Sequence, residues 1–149
     1  MAKFIYKMQN ILDIKNKLED QAKAEFSVAV NRLMQEEEKL RQIYDAITEY
    51  QNKIRGNGEG TLNVRELLEC TNAIEIKKEQ AEMQKKQIRI AEINVEKARE
   101  KLNAVMQERK THEILKEKEF EAFKYEINEQ EKKEIDELVS FRKNSSEET

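Results

Sequence analysis

The stretch Gly56-Asn57-Gly58-Glu59-Gly60 contains every glycine of the 149-residue chain, which has no proline at all. Glycine and proline most often mark turns, so one turn is predicted here and no other is signalled along the chain. Sandwiches, barrels and doubly wound sheets need many turns. The glycine cluster therefore favours an all-α fold in which one short loop joins two helices.

The residues on either side of the glycines are typical of a helix end followed by a helix start. Gly56 can adopt the left-handed conformation that ends many helices. After the loop, Asn63 and Glu66 have the spacing of a capping box, and Leu62 and Leu67 have that of a hydrophobic staple. These signals place both helix ends close to the glycine cluster.

The sequence predicts one domain, the whole chain, built as a hairpin. The first helix is expected over residues 4–55, the loop over 56–62, the second helix over 63–142 and a frayed tail over 143–149. Because the loop is short, the two helices must run antiparallel. The predicted fold class is all-α: a two-helix antiparallel coiled-coil hairpin with an overhanging C-terminal arm.

Apolar residues recur every seven positions in both predicted helices, which is the spacing of a coiled-coil seam. In the first helix they are Phe26, Leu33, Leu40, Ile47 and Ile54. In the second they are Leu67, Ile74, Ala81, Ile88, Val95 and Leu102. Glu36 or Glu37 is expected in the same seam near Lys77, Lys78 and Gln84. Such a polar layer can fix the register of the pair.

The two helices are unequal in length, so the second helix is expected to lack a partner within the chain from about Lys116 onward. This overhang is amphipathic rather than polar on all sides. Its apolar residues are Phe120, Phe123, Tyr125, Ile127, Ile135, Leu138 and Phe141. An amphipathic helix with no partner inside its chain is expected to have one outside it, either another protein or a second copy.

Composition argues against several classes of function. The 28 basic and 31 acidic residues alternate along the chain, so no basic patch forms that would bind nucleic acid. No apolar stretch is long enough to cross a membrane and the start lacks a secretory signal, which favours a cytoplasmic protein. His112 and Cys70 each stand alone among polar or seam residues, so neither a metal site nor a catalytic constellation is predicted. The sequence predicts no enzyme and no cofactor.

Five stretches resemble the flagellar type III export family FliJ. They are residues 4–15 (FIYKMQNILDIK), 19–24, 36–40, 117–123 and 132–139 (KKEIDELV). The resemblance spans nearly the whole chain, and it includes the length and the hairpin design. The Lys-Lys-x-x-Asp-Glu-Leu block and the length of the chain are the most specific parts of this resemblance. The other stretches are less specific, because many coiled coils are rich in Glu and Lys.

This resemblance implies a non-enzymatic component of the flagellar export apparatus, similar in fold to the central stalk of rotary ATPases. It implies three partners: the export ATPase FliI, whose ring such proteins enter and help to assemble, the export gate protein FlhA, and the export chaperones. It also implies peripheral association with the inner-membrane flagellar base. We expect a monomeric hairpin when the protein is free.

The resemblance also suggests where the partners bind. By analogy with rotary stalks, the overhang would enter the ATPase ring. Its candidate contacts are Phe120, Phe123, Ile127, Lys132, Lys133, Asp136, Glu137 and Leu138. The gate contact of the family corresponds to Cys70, Ile74 and Lys77, although Cys70 stands where related proteins can carry an aromatic residue and Lys77 replaces a small one. It is at least as plausible that Cys70 and Ile74 simply fill the seam.

Without the family resemblance, the residues are also compatible with a different class of function. A generic cytoplasmic scaffold or tethering protein could have the same composition and the same heptads. It would differ by self-associating along its full apolar stripe.

Overall fold

The structure is a computed structural model that describes residues 2–56 and 63–147. It contains two helices, α1 over Gln9–Ile54 and α2 over Val64–Glu147, and no strand within those residues. The all-α prediction is therefore confirmed. Most of the predicted loop, including Leu62 of the hydrophobic staple, lies outside the described residues.

The signals around the glycine cluster appear in the structure as predicted. Gly56 has a φ of +77°, and its N–H donates to the carbonyl of Lys53 at 3.2 Å. At the start of α2 the Glu66 N–H donates to Asn63 Oδ1 at 2.8 Å, and the Asn63 N–H donates to Glu66 Oε2 at 3.4 Å. These reciprocal bonds form the capping box, because each satisfies an amide that the helix itself leaves without a partner.

The chain divides into two compact units. One comprises the described residues of 1–19 and 105–149, and the other comprises residues 20–104. In each unit a stretch of the N-terminal part of the chain packs along a stretch of α2.

In the unit of residues 20–104, the helix pairing is visible in two polar contacts. Lys101 Nζ lies 2.8 Å from Glu25 Oε2, and Gln84 Nε2 lies 2.5 Å from Glu36 Oε2. Later residues of α1 therefore pair with earlier residues of α2, which confirms the antiparallel arrangement. The buried side chains of this unit are Ala22, Ile47, Cys70, Ile74, Ala81, Ala91 and Val95, together with Glu36. Of these, Ile47, Ile74, Ala81 and Val95 lie at predicted heptad positions, whereas Ile54 and Leu67, which were predicted for the seam beside the loop, are 36% and 38% exposed.

The register within this unit differs from a simple fold about Glu59. Such a fold would place Phe26 near Glu92. Instead the guanidinium of Arg99, two helical turns further along α2, lies over the Phe26 ring at 5.9 Å from its centroid. The long arginine side chain accounts for part of the offset of two turns between Glu92 and Arg99, because it points back toward the start of its own helix.

In the unit formed by the two ends of the chain, the N-terminal residues differ from the prediction. Residues 2–6 are not helical, and α1 begins at Gln9 rather than at Phe4. Tyr6 is buried against the rest of the unit, and Phe4 packs on two aromatic rings of α2. These contacts with distant residues hold the segment outside the helix, which is why the local pattern did not reveal it.

The other end also differs, because α2 continues to Glu147 instead of ending at Arg142. No proline or glycine follows Arg142 to stop the helix. Ser146 Oγ donates to the Lys143 carbonyl at 2.9 Å within this added stretch.

Candidate partner-binding surfaces

Phe120 and Phe123, the first two partner contacts predicted in the overhang, are partly covered by Phe4 of the same chain. The Phe4 ring centroid lies 5.0 Å from that of Phe120, in an edge-to-face arrangement, and 5.3 Å from that of Phe123. Phe120 is 37% exposed and Phe123 is half-buried. The expectation that α2 lacks a partner from Lys116 onward was therefore wrong, because the non-helical segment of residues 2–8 packs against it.

Beyond Ile127 the situation changes. We call residues 128–147 the C-terminal arm; every residue of it from 128 to 146 is exposed. Leu138 is 62% exposed and Phe141 is 73% exposed, although both lie on the helix face that Phe120 and Ile127 also occupy. The predicted contacts within the arm are Lys132, Lys133, Asp136, Glu137 and Leu138. The structure exposes all five to solvent, and near the start of the arm Ala2 lies beside Gln130, Glu131 and Glu134.

The predicted gate residues have a different environment. Cys70 and Ile74 are buried in the seam with α1, where they fill consecutive layers of the hairpin. Lys77 is half-buried. Of the three, Lys77 is therefore the one with a side chain available at the surface.

Two polar layers interrupt the apolar seam, one in each unit. In the unit of residues 20–104, the carboxylate of Glu36 is buried and accepts from Gln84 Nε2. Arg32 Nη2 lies 3.1 Å and Lys39 Nζ 3.4 Å from Glu36 Oε1. The hydrogen bond from Gln84, aided by the two cations, holds the pKa of Glu36 below its ordinary value although burial acts in the opposite direction. This is the polar layer expected from the sequence.

The second polar layer lies in the unit formed by the chain ends and was not expected. Arg109 Nε donates to the buried carboxylate of Glu19, and Arg109 Nη1 donates to Glu113 Oε2 at 2.7 Å. The Arg109 side chain is 18% exposed and that of Glu19 is 7% exposed. The hydrogen bonds to Glu19 raise the pKa of Arg109 further, so this guanidinium stays charged inside the pair.

A further surface was missed by the sequence analysis. On α2, six uncharged residues follow one another at alternating steps of four and three, and we call them the uncharged seam. They are Ile76, Gln80, Met83, Gln87, Ile90 and Asn94. All six are exposed. The sequence carries the signal, because six successive heptad positions without a charge are unusual in a chain that is 40% charged. These positions are distinct from those of the seam that joins the two helices.

The described residues contain no group of three or more His, Cys, Asp or Glu side chains arranged to hold a metal ion. His112 has its Nδ1 buried with no hydrogen-bond partner within the same residues. No helix in the described part of the chain is both long enough and apolar enough to span a bilayer.

Two long helices that pack antiparallel, with no strand among the described residues, define an all-α protein of the coiled-coil hairpin class. A protein-family model described as "Flagellar FliJ protein" matches residues 4–148. The chain therefore belongs to the FliJ family, and it is a component related to flagellar export. Comparison with curated proteins and with solved structures returns no match.

Proposed function

We propose that the protein is a stalk-like, non-enzymatic component of the flagellar type III export apparatus. It binds the export ATPase FliI, promotes assembly and activity of the ATPase ring, and links the ring to the export gate FlhA and the export chaperones. It does so in the cytoplasm, at the inner-membrane base of the flagellum. Membership of the FliJ family supports a role in flagellar export. The exposed apolar residues of α2 support a role in binding other proteins.

The C-terminal arm is the observation that carries this proposal. An isolated helix in water gains little from its own hydrogen bonds, and apolar side chains on it gain free energy only when another surface covers them. Ile135, Leu138 and Phe141 are all more than half exposed. They continue the face that packs on residues 2–8 further up the helix, so a partner of the arm extends an interface that already exists within the chain.

The charges of the arm suit a polar rim around this stripe. Lys132, Lys133, Asp136 and Glu137 are exposed, and Lys132 lies 3.9 Å from Glu129 on its own helix. Rim charges set the specificity and the rate of association more than the affinity. The apolar stripe is therefore proposed to supply most of the binding free energy.

The decisive experiment measures ATP hydrolysis by the cognate export ATPase, at concentrations where the ATPase alone is mostly monomeric. The wild-type chain is expected to stimulate hydrolysis and to shift the ATPase to ring-sized particles. The double variant Leu138→Glu/Phe141→Glu is expected to lose both effects, because charge on the stripe prevents burial.

Tyr125→Glu provides the matched control. Tyr125 is 67% exposed and lies on the same part of α2, but on the side away from Leu138. It should stimulate like the wild type. If the wild-type chain neither stimulates hydrolysis nor co-migrates with the ATPase, the stalk proposal is wrong, and the alternative of a generic scaffold takes its place.

The gate contact is proposed at the start of α2, around Lys77. Cys70 and Ile74 belong to this proposal as buried residues that set the position of Lys77 on the hairpin. Lys77→Glu is then expected to weaken binding to the cytosolic part of the gate protein, measured by calorimetry, while ATPase stimulation stays unchanged. Equal loss of both activities would contradict a separate gate contact.

A further inference from the structure

The uncharged seam lies on a part of α2 that the hairpin does not use. Each of its residues directly precedes a residue that is buried or half-buried against α1, as Gln80 precedes Ala81. One residue is a rotation of about 100° around a helix. The uncharged seam therefore turns away from α1, and Ile76, Met83 and Ile90 are 55%, 68% and 52% exposed.

Its pattern is that of a second coiled-coil interface. The amides of Gln80, Gln87 and Asn94 occupy the first position of a heptad, and the two isoleucines and the methionine occupy the fourth. A solvated face of this chain would ordinarily carry charge, since 40% of the residues are charged. Lys and Glu are the usual residues of such faces, so an uninterrupted uncharged row over residues 76–94 points to a surface that is covered.

The absence of charge identifies the kind of partner. When two copies of a helix pair in parallel about a two-fold axis along the coil, each seam residue meets its own counterpart. A charged residue would then face an identical charge, which opposes association. Side-chain amides are different, because each has both donors and an acceptor and so can bond an identical amide. We infer that the protein self-associates through the uncharged seam, as a parallel pair of α2 helices.

The parallel arrangement follows from the layers it produces. In a parallel pair, apolar side chains pack on apolar ones and amides on amides, and polar residues at the first heptad position are a known means of fixing register in such coils. In an antiparallel pair each layer combines one position of each kind. That would bury Ile76 and Ile90 against amides and leave those amides short of partners.

The residues that flank the seam do not oppose this pairing. In a parallel coil, a flanking residue of one helix lies nearest the residue five positions further along the other. Glu79 of one copy is then directed toward Gln84 of the other, and Lys86 toward Ala91, so the α2 helices bring no like charges together. Gln84 and Ala91 are themselves half-buried and buried in the hairpin, so α1 of each copy lies beside the proposed interface. With three large apolar side chains per copy, the association is expected to be weak, and the monomer expected from the sequence is its low-concentration form.

Charge substitutions at Gln80 test the inference with the full chain. Gln80→Glu and Gln80→Lys each place like charges opposite one another in the proposed dimer. Sedimentation equilibrium is expected to show concentration-dependent dimers for the wild type and association weakened about tenfold or more for each variant. An equimolar mixture of the two variants should associate again, because the layer then pairs opposite charges.

Gln35→Glu, at an exposed position of α1 within the same unit, is the matched control and should associate like the wild type. Glu, Gln and Lys are all good helix formers, so thermal unfolding followed by circular dichroism should confirm that each hairpin stays folded.

Three results would overturn the inference. The first is a wild-type chain that stays monomeric at its highest soluble concentration. The second is association of both Gln80 variants at wild-type strength, which would place the interface elsewhere. The third is a mixture of the two variants that associates no better than either variant alone, because Gln80 would then not face its own counterpart. None of these outcomes depends on the ATPase assay.

Discussion

Tyr6 is a residue whose burial works against the stability of its unit. It is 5% exposed, and its hydroxyl has no hydrogen-bond partner within the described residues. Burying a hydroxyl without a partner costs free energy, whereas the ring itself gains from burial. Aromatic packing thus stabilises the non-helical segment of residues 2–8, and the buried hydroxyl of Tyr6 offsets part of that stabilisation.

We predict that Tyr6→Phe leaves the free energy of unfolding unchanged or raises it by about 1 kcal/mol, because it removes the unpaired hydroxyl and keeps the ring. Urea unfolding measures this directly. Tyr125→Phe, at an exposed position, should change nothing. A clear loss of stability in Tyr6→Phe would mean that the hydroxyl has a favourable partner.

Glu36 should make stability depend on pH. Its folded pKa lies below the ordinary value of 4.5, so its carboxylate stabilises the fold fully above that value. This contribution is lost as the pH falls through the lower, folded pKa.

We predict that Glu36→Gln lowers the free energy of unfolding at neutral pH and makes its decline below pH 4.5 shallower than in the wild type. Chemical denaturation at a series of pH values provides the measurement. Some decline should remain, since the pKa values of Glu38 and Glu108 are also lowered by cationic neighbours. An unchanged acid profile would show that Glu36 is not stabilised as an anion.

At the scale of the helices, the polar layer of Glu19, Arg109 and Glu113 is the main interruption of the seam in its unit. Removing one member of a buried ion pair leaves the other charge without compensation, whereas replacing both can be neutral.

We therefore predict that Arg109→Leu lowers the midpoint of thermal unfolding markedly and that the double variant Glu19→Leu/Arg109→Leu recovers most of the loss. Differential scanning calorimetry of both variants is the measurement. Arg89→Leu, at an exposed position of α2, serves as the control and should have little effect. If the double variant is as unstable as the single one, the layer contributes more than the pairing of its charges.

The helices also show which features could be predicted from the sequence. The end of α1 at Ile54, two residues before Gly56, and the capping box of Asn63 and Glu66 depend on residues within a few positions of each other, so local rules predicted them correctly. The start of α1 depends on Phe4 meeting two aromatic rings that are remote in sequence, and no local rule contains that contact. The binding surfaces divide in the same way, because the heptads placed Ile74 in the seam from sequence alone, whereas the cover that Phe4 provides over Phe120 and Phe123 depends on a contact between residues remote in sequence.

At the scale of the whole molecule, the C-terminal arm adds length to α2 without adding burial. All of its residues from 128 to 146 are exposed. Helical stability in proteins comes mostly from tertiary packing, so this arm should contribute little to the cooperative unfolding of the protein.

We predict that a chain ending at Asn128 unfolds at the same temperature as the full chain and fails to stimulate the export ATPase. Calorimetry and the hydrolysis assay on the same preparation test both halves of this prediction. A lower unfolding temperature would mean that the arm supports the hairpin. Full stimulation without the arm would move the ATPase contact to another surface.

The exposed arm also has a consequence for how long the protein survives in a cell. Lys132, Lys133, Arg142 and Lys143 are of the residue types after which trypsin-like proteases cut, and all four are exposed. A helical stretch with so few buried contacts is expected to open locally at little cost in free energy. If the proposed partner covers the arm, bound copies would be shielded and surplus copies would be cut first. Turnover would then match the amount of this protein to the number of assembled export complexes, without any dedicated regulator.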